Sequence, residues 1–458
     1  MQNFNKSTSS KRQNAASDPS GDSEDKNAKK MLAKIGWMTF STLLRLGSGL
    51  VLFLILARTL GVADFGTLAY WLAFCTLALM PVNYGFGLYI LREAGKSKDH
   101  LSIILGDTLV AKLILAAVLS IGMATAAYNW IPDQQLFWLL YGMAMAESFS
   151  EYLNYSLRAL GRFQEEAKLT LVTALLNFGG VIAFTLALET LPAVATGFLI
   201  TRIFSLIITW RWIDKYLPIR ISTLNLAMPR IRATLRNGFA YAADMALVTL
   251  NSTFDILLLS HLAGPSAVGL YQAGLKLMQG ATTFAPVLSN VYMPYISERA
   301  SSGDNIKKTV TELNFKVLSL GAGMGIILAW ASGGITAVLF GTEYSEMTTL
   351  LPWFALALVL RYLAAGFGIN LTAHGHQYIR VVTNVSALAI LIVIALLTVP
   401  TFGPRGMAFA VASAMGFVAL AYYITLIARR IPTGMSSTNV LILSLAALLI
   451  VLNIALSN

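Results

Sequence analysis

Between residues 36 and 456 the sequence is a succession of apolar stretches of about 20 residues, parted by short polar turns. Wound into a helix, a segment of that length spans the hydrocarbon core of a bilayer, roughly 30 Å thick. No water reaches that core, so each stretch must satisfy its own backbone N–H and C=O groups as a helix. A soluble fold is excluded. Only 12% of the residues are charged, about half the share found in soluble domains.

Spans are expected at 36–57, 65–90, 101–127, 135–160, 168–189, 192–213, 237–262, 266–297, 310–340, 347–371, 378–400, 405–428 and 437–456. The long span 266–297 needs a bend, for which Pro286 and Pro294 offer places, and Gly334 does the same for 310–340. Residues 1–30 are polar and rich in Ser, Asn and Lys, and read as a solvated tail with too little apolar surface for a core. Residues 31–213 and 237–430 then form two halves of six spans each. The stretch 214–236 links them as an amphipathic surface segment, and 431–458 adds a further C-terminal span.

An N-terminus on the cytoplasmic side places the Lys- and Arg-bearing loops on one face of the membrane. About 26 of the 33 basic side chains then lie on that side and about 2, Arg58 and Arg405, on the other. The net charge of +11 is thereby accounted for, and no nucleic-acid partner is needed to explain it. The four histidines, at 100, 261, 374 and 376, lack metal-ligand spacing, and the single Cys75 sits in an apolar run. No metal and no cofactor are expected.

The segments "ARTLGVADFGTLAYW" (57–71) and "SHLAGPSAVGLYQAG" (260–274) align with Gly61 on Gly264 and Gly66 on Gly269. Each is the turn between the first two spans of its half, so the halves read as related lobes. With its context, "ILARTLGVADFGTLAYWLAF" (55–74) resembles the first-loop signature of the oligosaccharide/polysaccharide flippases. "FDILLLSHLAGPSAVGLYQAGLKLMQGATTFAPVLSNVYMPYISERA" (254–300) is similar to their mid-chain signature. The family belongs to the multidrug, oligosaccharidyl-lipid and polysaccharide exporter superfamily. The resemblance covers about residues 35 to 430. It implies an all-α polytopic membrane protein with two related six-helix lobes around a central cavity, and the extra helix 437–456 stands outside that plan. It also implies a bacterial cytoplasmic-membrane flippase of the O-antigen type, which moves undecaprenyl-pyrophosphate-linked oligosaccharides by alternating access. The lipid-linked oligosaccharide, membrane lipids and other polysaccharide assembly proteins are its expected partners.

Charges within spans are the candidate site. Arg45, Lys112, Arg202, Lys276 and Arg361 fall near mid-span, with Glu147, Glu151 and Asp244 comparably deep. Such residues face a cavity or a neighbour, because exposure to lipid is costly. The five cations are candidates for the lipid pyrophosphate, which Arg binds bidentately and Lys as a point charge. The three acids are candidates for proton or ion coupling. The bland alternative for Arg45 is an ion pair with Glu147 or Asp244 that never meets substrate. Polar side chains also share faces at helical spacing: Asn237, Tyr241, Asp244, Asn251 and Asp255 on one span, and Glu147, Glu151, Asn154 and Arg158 on another. Gln272, Lys276, Gln279 and Thr283 form a third such stripe, and Arg202, Ser205 and Thr209 a fourth.

A polymerase or ligase of the same pathways would need a large loop outside the membrane, and the loops are short, so no enzyme is expected. A drug or cation antiporter of the sister family is the alternative, and an acidic cavity would favour it. No GxxxxGK[ST] motif is present, so ATP is not the expected driver.

The charge bias puts Ser20 and Ser301 inside and Asp133 and Glu343 outside. With Cys75 replaced, a cysteine at position 343 is expected to react with an impermeant maleimide on intact cells. One at position 301 should react only after permeabilisation; the reverse pattern would invert the topology.

Overall fold

A computed structural model describes residues 19–96, 101–131, 133–216, 228–301 and 306–457. The first part of the expected tail, loop 97–100 and residues 217–227 of the linker lie outside these residues. The described residues are almost all helical. The N-lobe comprises α1 (Pro19–Ala78), α2 (Met80–Asn83), α3 (Phe86–Lys96), α4 (Leu101–Trp130), α5 (Gln134–Ala159), α6 (Phe163–Leu188) and α7 (Leu191–Asp214). The C-lobe comprises α8 (Met228–Thr282), α9 (Ala285–Ser301), α10 (Lys307–Trp330), α11 (Ser332–Leu339), a 3-10 helix (Thr342–Thr349), α12 (Leu351–Ala373), α13 (Gln377–Phe402) and α14 (Pro404–Ala428). A last helix, α15 (Ser437–Ser457), packs on α10 and α12.

Ten of these helices are long and apolar enough to cross a membrane. Two of the ten, α1 and α8, each hold a pair of the expected spans on either side of a kink. The expected span 135–160 is α5, whose polar stripe keeps it off that count. Two boundaries differ from expectation. Helix α1 begins at Pro19, inside the segment expected to be a solvated tail, because its Ala, Glu and Lys residues favour helix once an apolar span nucleates it. The break in the span 310–340 falls at Ala331, between α10 and α11, and not at Gly334. The span 266–297 breaks at residues 283–284, just before Pro286, which sits in the first turn of α9 where its missing N–H leaves no gap.

The internal repeat is visible in the backbone. Gly61 has φ 73° and ψ 174°, and Gly264 has φ 81° and ψ −179°. Both lie in a region that L side chains avoid, so glycine permits the same sharp turn in each lobe. The post-kink segments then cross. A Cβ on Gly66 would lie 1.9 Å from the carbonyl oxygen of Pro265, and one on Gly269 would lie 2.1 Å from that of Val62. The contact is reciprocal: the residue after each kink sits on the fifth residue after the other. Small residues at such a crossing let backbones approach closely, which is how helices associate in lipid.

At the same end the 3-10 helix of the C-lobe grips the N-lobe kink. The buried Tyr344 donates its hydroxyl to the Ala57 carbonyl at 2.9 Å. Arg58 Nη1 donates to the Val338 carbonyl at 3.2 Å. The Phe65 ring meets the Tyr344 ring edge-on, with centroids 6.4 Å apart. At the other end of α4, Arg230 of α8 lies 3.8 Å from Asp107.

The second span of the N-lobe is interrupted between Leu79 and Gly85, where Tyr84 and Gly85 take positive φ. The turn residues of "MPVNYG" are its signal. Replacing Gly66 or Gly269 with Ala is expected to destabilise the protein by about 1–3 kcal/mol, because backbone must move. Gly47→Ala, where nothing lies within 4 Å, serves as the control. Thermal unfolding in detergent reads the difference, and equal melting of all three variants would remove the crossing from the forces that hold the lobes.

Candidate functional site

Each lobe contains a polar cavity lined by several of its helices. In the N-lobe it lies among α1, α5, α6 and α7, and in the C-lobe among α8, α12, α13 and α14. Two whole stripes expected from the sequence, Glu147–Glu151–Asn154–Arg158 and Arg202–Ser205–Thr209, line the N-lobe cavity. Asp244, Asn251 and Asp255 of the first stripe line the C-lobe cavity, and so does Gln279. Tyr241 lies elsewhere, packed where a Cβ on Gly85 would fall. Gln272 is buried, and its Oε1 has no hydrogen-bond partner among the described residues.

In the N-lobe cavity every guanidinium meets a carboxylate. Arg45 Nη1 lies 3.9 Å from Glu151 Oε1, Arg202 Nη2 2.9 Å from Glu147 Oε1, and Arg158 Nη2 2.6 Å from Glu166 Oε1. The neighbour of Arg45 is therefore Glu151, one helical turn from Glu147, and not Glu147 or Asp244. The side chains of Arg45 and Glu151 are 54% and 58% exposed, so this pair stands in an open part of the cavity. Asn154 Oδ1, Asn177 Oδ1 and Thr209 Oγ1 are buried with no partner among the described residues. The cavity measures about 130 Å³, room for about four waters at roughly 30 Å³ each.

The C-lobe cavity is larger, about 600 Å³. It carries Arg361 and Arg380 together with Asp244 and Asp255. Here the charges do not pair with one another: among the described residues no carboxylate lies within 4.0 Å of either guanidinium. Asp255 is held instead by the Tyr271 hydroxyl and its own neighbour's amide, Ile256 N, at 3.0 Å. Arg380 Nη1 donates to Thr372 Oγ1 at 2.7 Å. Lys276 stands at the seam between lobes, its ammonium 5.2 Å from the Phe53 ring centroid of α1. A cation over an aromatic face keeps part of its charge stabilisation without a carboxylate.

Lys112 is not a cavity cation. It is 1% exposed, between the interrupted span and α5. Its ammonium donates to Val82 O at 3.3 Å, Asn83 Oδ1 at 3.2 Å and Ser148 Oγ at 2.6 Å. The break at Tyr84–Gly85 frees carbonyls that a continuous helix would have satisfied, and Lys112 covers one of them. Depth along a span placed this residue in the membrane; it carried no information on which way the side chain faced.

Sequence reasoning did not single out Glu166, Arg380 or Asn384. Glu166 fell in a loop expected at 161–167, whereas α6 already starts at Phe163. Arg380 and Asn384 stand four apart on α13, and that shared face was the available signal.

Residues 31–299 match the family described as Polysaccharide biosynthesis protein. Two relatives carry the name "Putative O-antigen transporter". The one from Escherichia coli (strain K12) is 22% identical over 374 residues, 76% of this chain and 86% of its own. The one from Shigella dysenteriae is 22% identical over 305 residues, 63% of this chain and 72% of its own. Among solved structures, the lipid II flippase MurJ in an inward closed conformation superposes with a TM-score of 0.68 at 15% identity, covering 93% of this chain and 97% of that one. An inward-facing multidrug resistance MATE family transporter of the MOP superfamily gives 0.64 at 13% identity, covering 86% and 98%. These structural likenesses show the fold, an all-helical architecture of two lobes. The family match extends over more than half of the sequence, and with it the chain belongs to the polysaccharide biosynthesis protein family.

Proposed function

We propose that this protein flips undecaprenyl-pyrophosphate-linked oligosaccharides across the bacterial cytoplasmic membrane by alternating access of its two lobes, with its N-terminus in the cytoplasm. The observation that carries this reading is the division of charge between the cavities. A membrane-buried cation needs a counter-charge or water. The N-lobe arginines have carboxylates; Arg361 and Lys276 do not, and both stand at or beside a cavity large enough for a ligand head group. An anion that enters between the lobes therefore meets these two first. Arg45 and Arg202 join them when Glu151 and Glu147 take up protons and release them. Neither cavity has an acidic excess among its described lining residues, which is what a cation antiporter would be expected to need.

In this reading Glu147 and Glu151 couple the cycle. Each stands beside an arginine and a small polar cavity, so a proton and the substrate phosphate compete for the same guanidinium. Alternating access also requires the grip of Tyr344 on Ala57 to open on the outward stroke.

Arg361→Gln is expected to lower translocation of a lipid-linked oligosaccharide in proteoliposomes by about tenfold or more, since hydrogen bonds to a charged group contribute about 1.5–3 kcal/mol. Arg361→Lys should keep part of the activity, because the charge survives and the bidentate fork is lost. Normal transport by Arg361→Gln at normal membrane abundance would sink the assignment. Glu147→Gln with Glu151→Gln should insert and fold but lose the dependence of transport on a pH gradient. A double variant that still responds to the gradient excludes coupling through this pair.

A further inference from the structure

The C-lobe cavity holds more than a phosphate needs. Asp244 and Gln279 reach it from the two sides of the α8 kink, Arg361 from α12 and Asn384 from α13. Asp244, Arg361 and Asn384 are exposed to it, and Gln279 is half-buried. None of these four side chains makes a hydrogen bond or ion pair with another described residue. By contrast Asp255 and Arg380, which also line the cavity, are fixed by Tyr271 and Thr372 and serve as its frame. The unengaged set is one carboxylate, two carboxamides and one guanidinium, arriving from separate helices around one space.

That set has a chemical meaning. A sugar hydroxyl both donates and accepts, and neighbouring hydroxyls present the two roles side by side. A carboxylate accepts only, a guanidinium donates only, and a carboxamide does both through one plane. The four together can satisfy a ring of hydroxyls, which neither an aliphatic nor a purely cationic ligand would use. Beside these and the framing Asp255 and Arg380, the wall has an apolar part, with Leu247, Met278, Leu388 and Met415, that suits the C–H faces of a pyranose. Size separates the two lobes as well. A cavity of about 600 Å³ lies within the roughly 300–1,000 Å³ range of ligand sites. The N-lobe cavity, at about 130 Å³, falls well below that range of roughly 300 Å³ and up.

We infer that the C-lobe cavity is a carbohydrate subsite, in which Asp244, Gln279 and Asn384 read the sugar attached to the pyrophosphate while Arg361 holds the adjoining phosphate. This inference rests on the flippase reading above and adds to it where selection among sugars takes place. It also gives Asp244 a hydrogen-bonding role in place of the coupling role expected from its depth.

The test uses the full chain in lipid nanodiscs. The probes are undecaprenyl pyrophosphate and a panel of undecaprenyl-pyrophosphoryl sugars bearing glucose, galactose, N-acetylglucosamine or N-acetylgalactosamine. At least one glycosylated probe is expected to bind about tenfold or more tighter than the bare lipid, since a site built to bind hydroxyls rejects a ligand lacking them. Asn384→Leu and Gln279→Leu should erase that advantage and leave the bare lipid's affinity unchanged, while Arg361→Gln weakens every probe alike. Asn384→Asp and Gln279→Glu, which change the donors and not the volume, should shift the ranking within the panel, so a folding defect in the Leu variants does not decide the matter. If the wild type binds the bare lipid as tightly as every glycosylated one, the subsite is overturned and the flippase reading stands. If it binds none of them, both fall. If a lipophilic cation such as ethidium binds in the cavity and Asn384→Leu weakens it while sugar probes are unaffected, the cavity belongs to an antiporter and the inference is overturned.

Discussion

A guanidinium held in a hydrocarbon slab must face a carboxylate, water or an anionic ligand, because the lipid offers it nothing. That constraint orders the interior of this protein. Three of the helices that build the two cavities, α5, α7 and α8, carry polar stripes, and each turns polar side chains toward the cavity of its own lobe. The N-lobe meets the constraint internally, with three Arg–Glu pairs around a few waters' worth of volume. The C-lobe leaves Arg361 facing open space beside a carboxylate it does not touch. Two lobes that share the same backbone kink thus differ in how they treat charge. In the proposed reading, one holds protons and the other holds a ligand.

The lobes are joined by surfaces with little chemistry in them. At the crossing of α1 and α8, the carbonyl oxygens of Pro265 and Val62 rest on Gly66 and Gly269, where no side chain larger than hydrogen would fit. The hydroxyl of Tyr344 and the guanidinium of Arg58 add hydrogen bonds to carbonyls freed at helix ends. Contacts of this kind are short in range and lose their strength over a small displacement. In the proposed cycle of opening and closing that property is an advantage, because nothing in the interface has to stretch.

How much of this could be read from the sequence differs by level. The class was legible in the apolar stretches, and the repeat in two pairs of glycines, since both follow from constraints that act locally. Of the stripe Gln272–Lys276–Gln279–Thr283 only Gln279 lines a cavity, whereas the polar face was legible in Glu147–Glu151–Asn154–Arg158 and in Arg202–Ser205–Thr209. A solitary charge was not. Lys112 and Arg361 read alike as cations near mid-span, yet one is buried under a broken helix and the other faces a cavity. The break itself, at Tyr84–Gly85, decides the fate of Lys112, and it depends on turn residues that the apolar signal masked. Partner identity was the least legible: the choice of Glu151 for Arg45 is set by the packing of α1 against its lobe and not by any spacing along the chain.

One departure from twofold symmetry has a mechanical side. Helix α15 lies against α10 and α12 with no counterpart in the N-lobe, and its entry is fastened by three buried asparagines. Asn314 donates to the Thr433 carbonyl at 2.8 Å, Asn370 to that of Pro432 at 2.7 Å, and Asn439 to that of Gly434 at 2.9 Å. The C-lobe is thereby broader where it meets lipid, and tilting it displaces more acyl chains than tilting its partner. When two bodies of unequal breadth rock about a common seam in a viscous sheet, the narrower one sweeps the wider arc. In the proposed alternating-access cycle the C-lobe would then act as a keel, keeping its cavity nearly still in the membrane frame while the N-lobe swings around it.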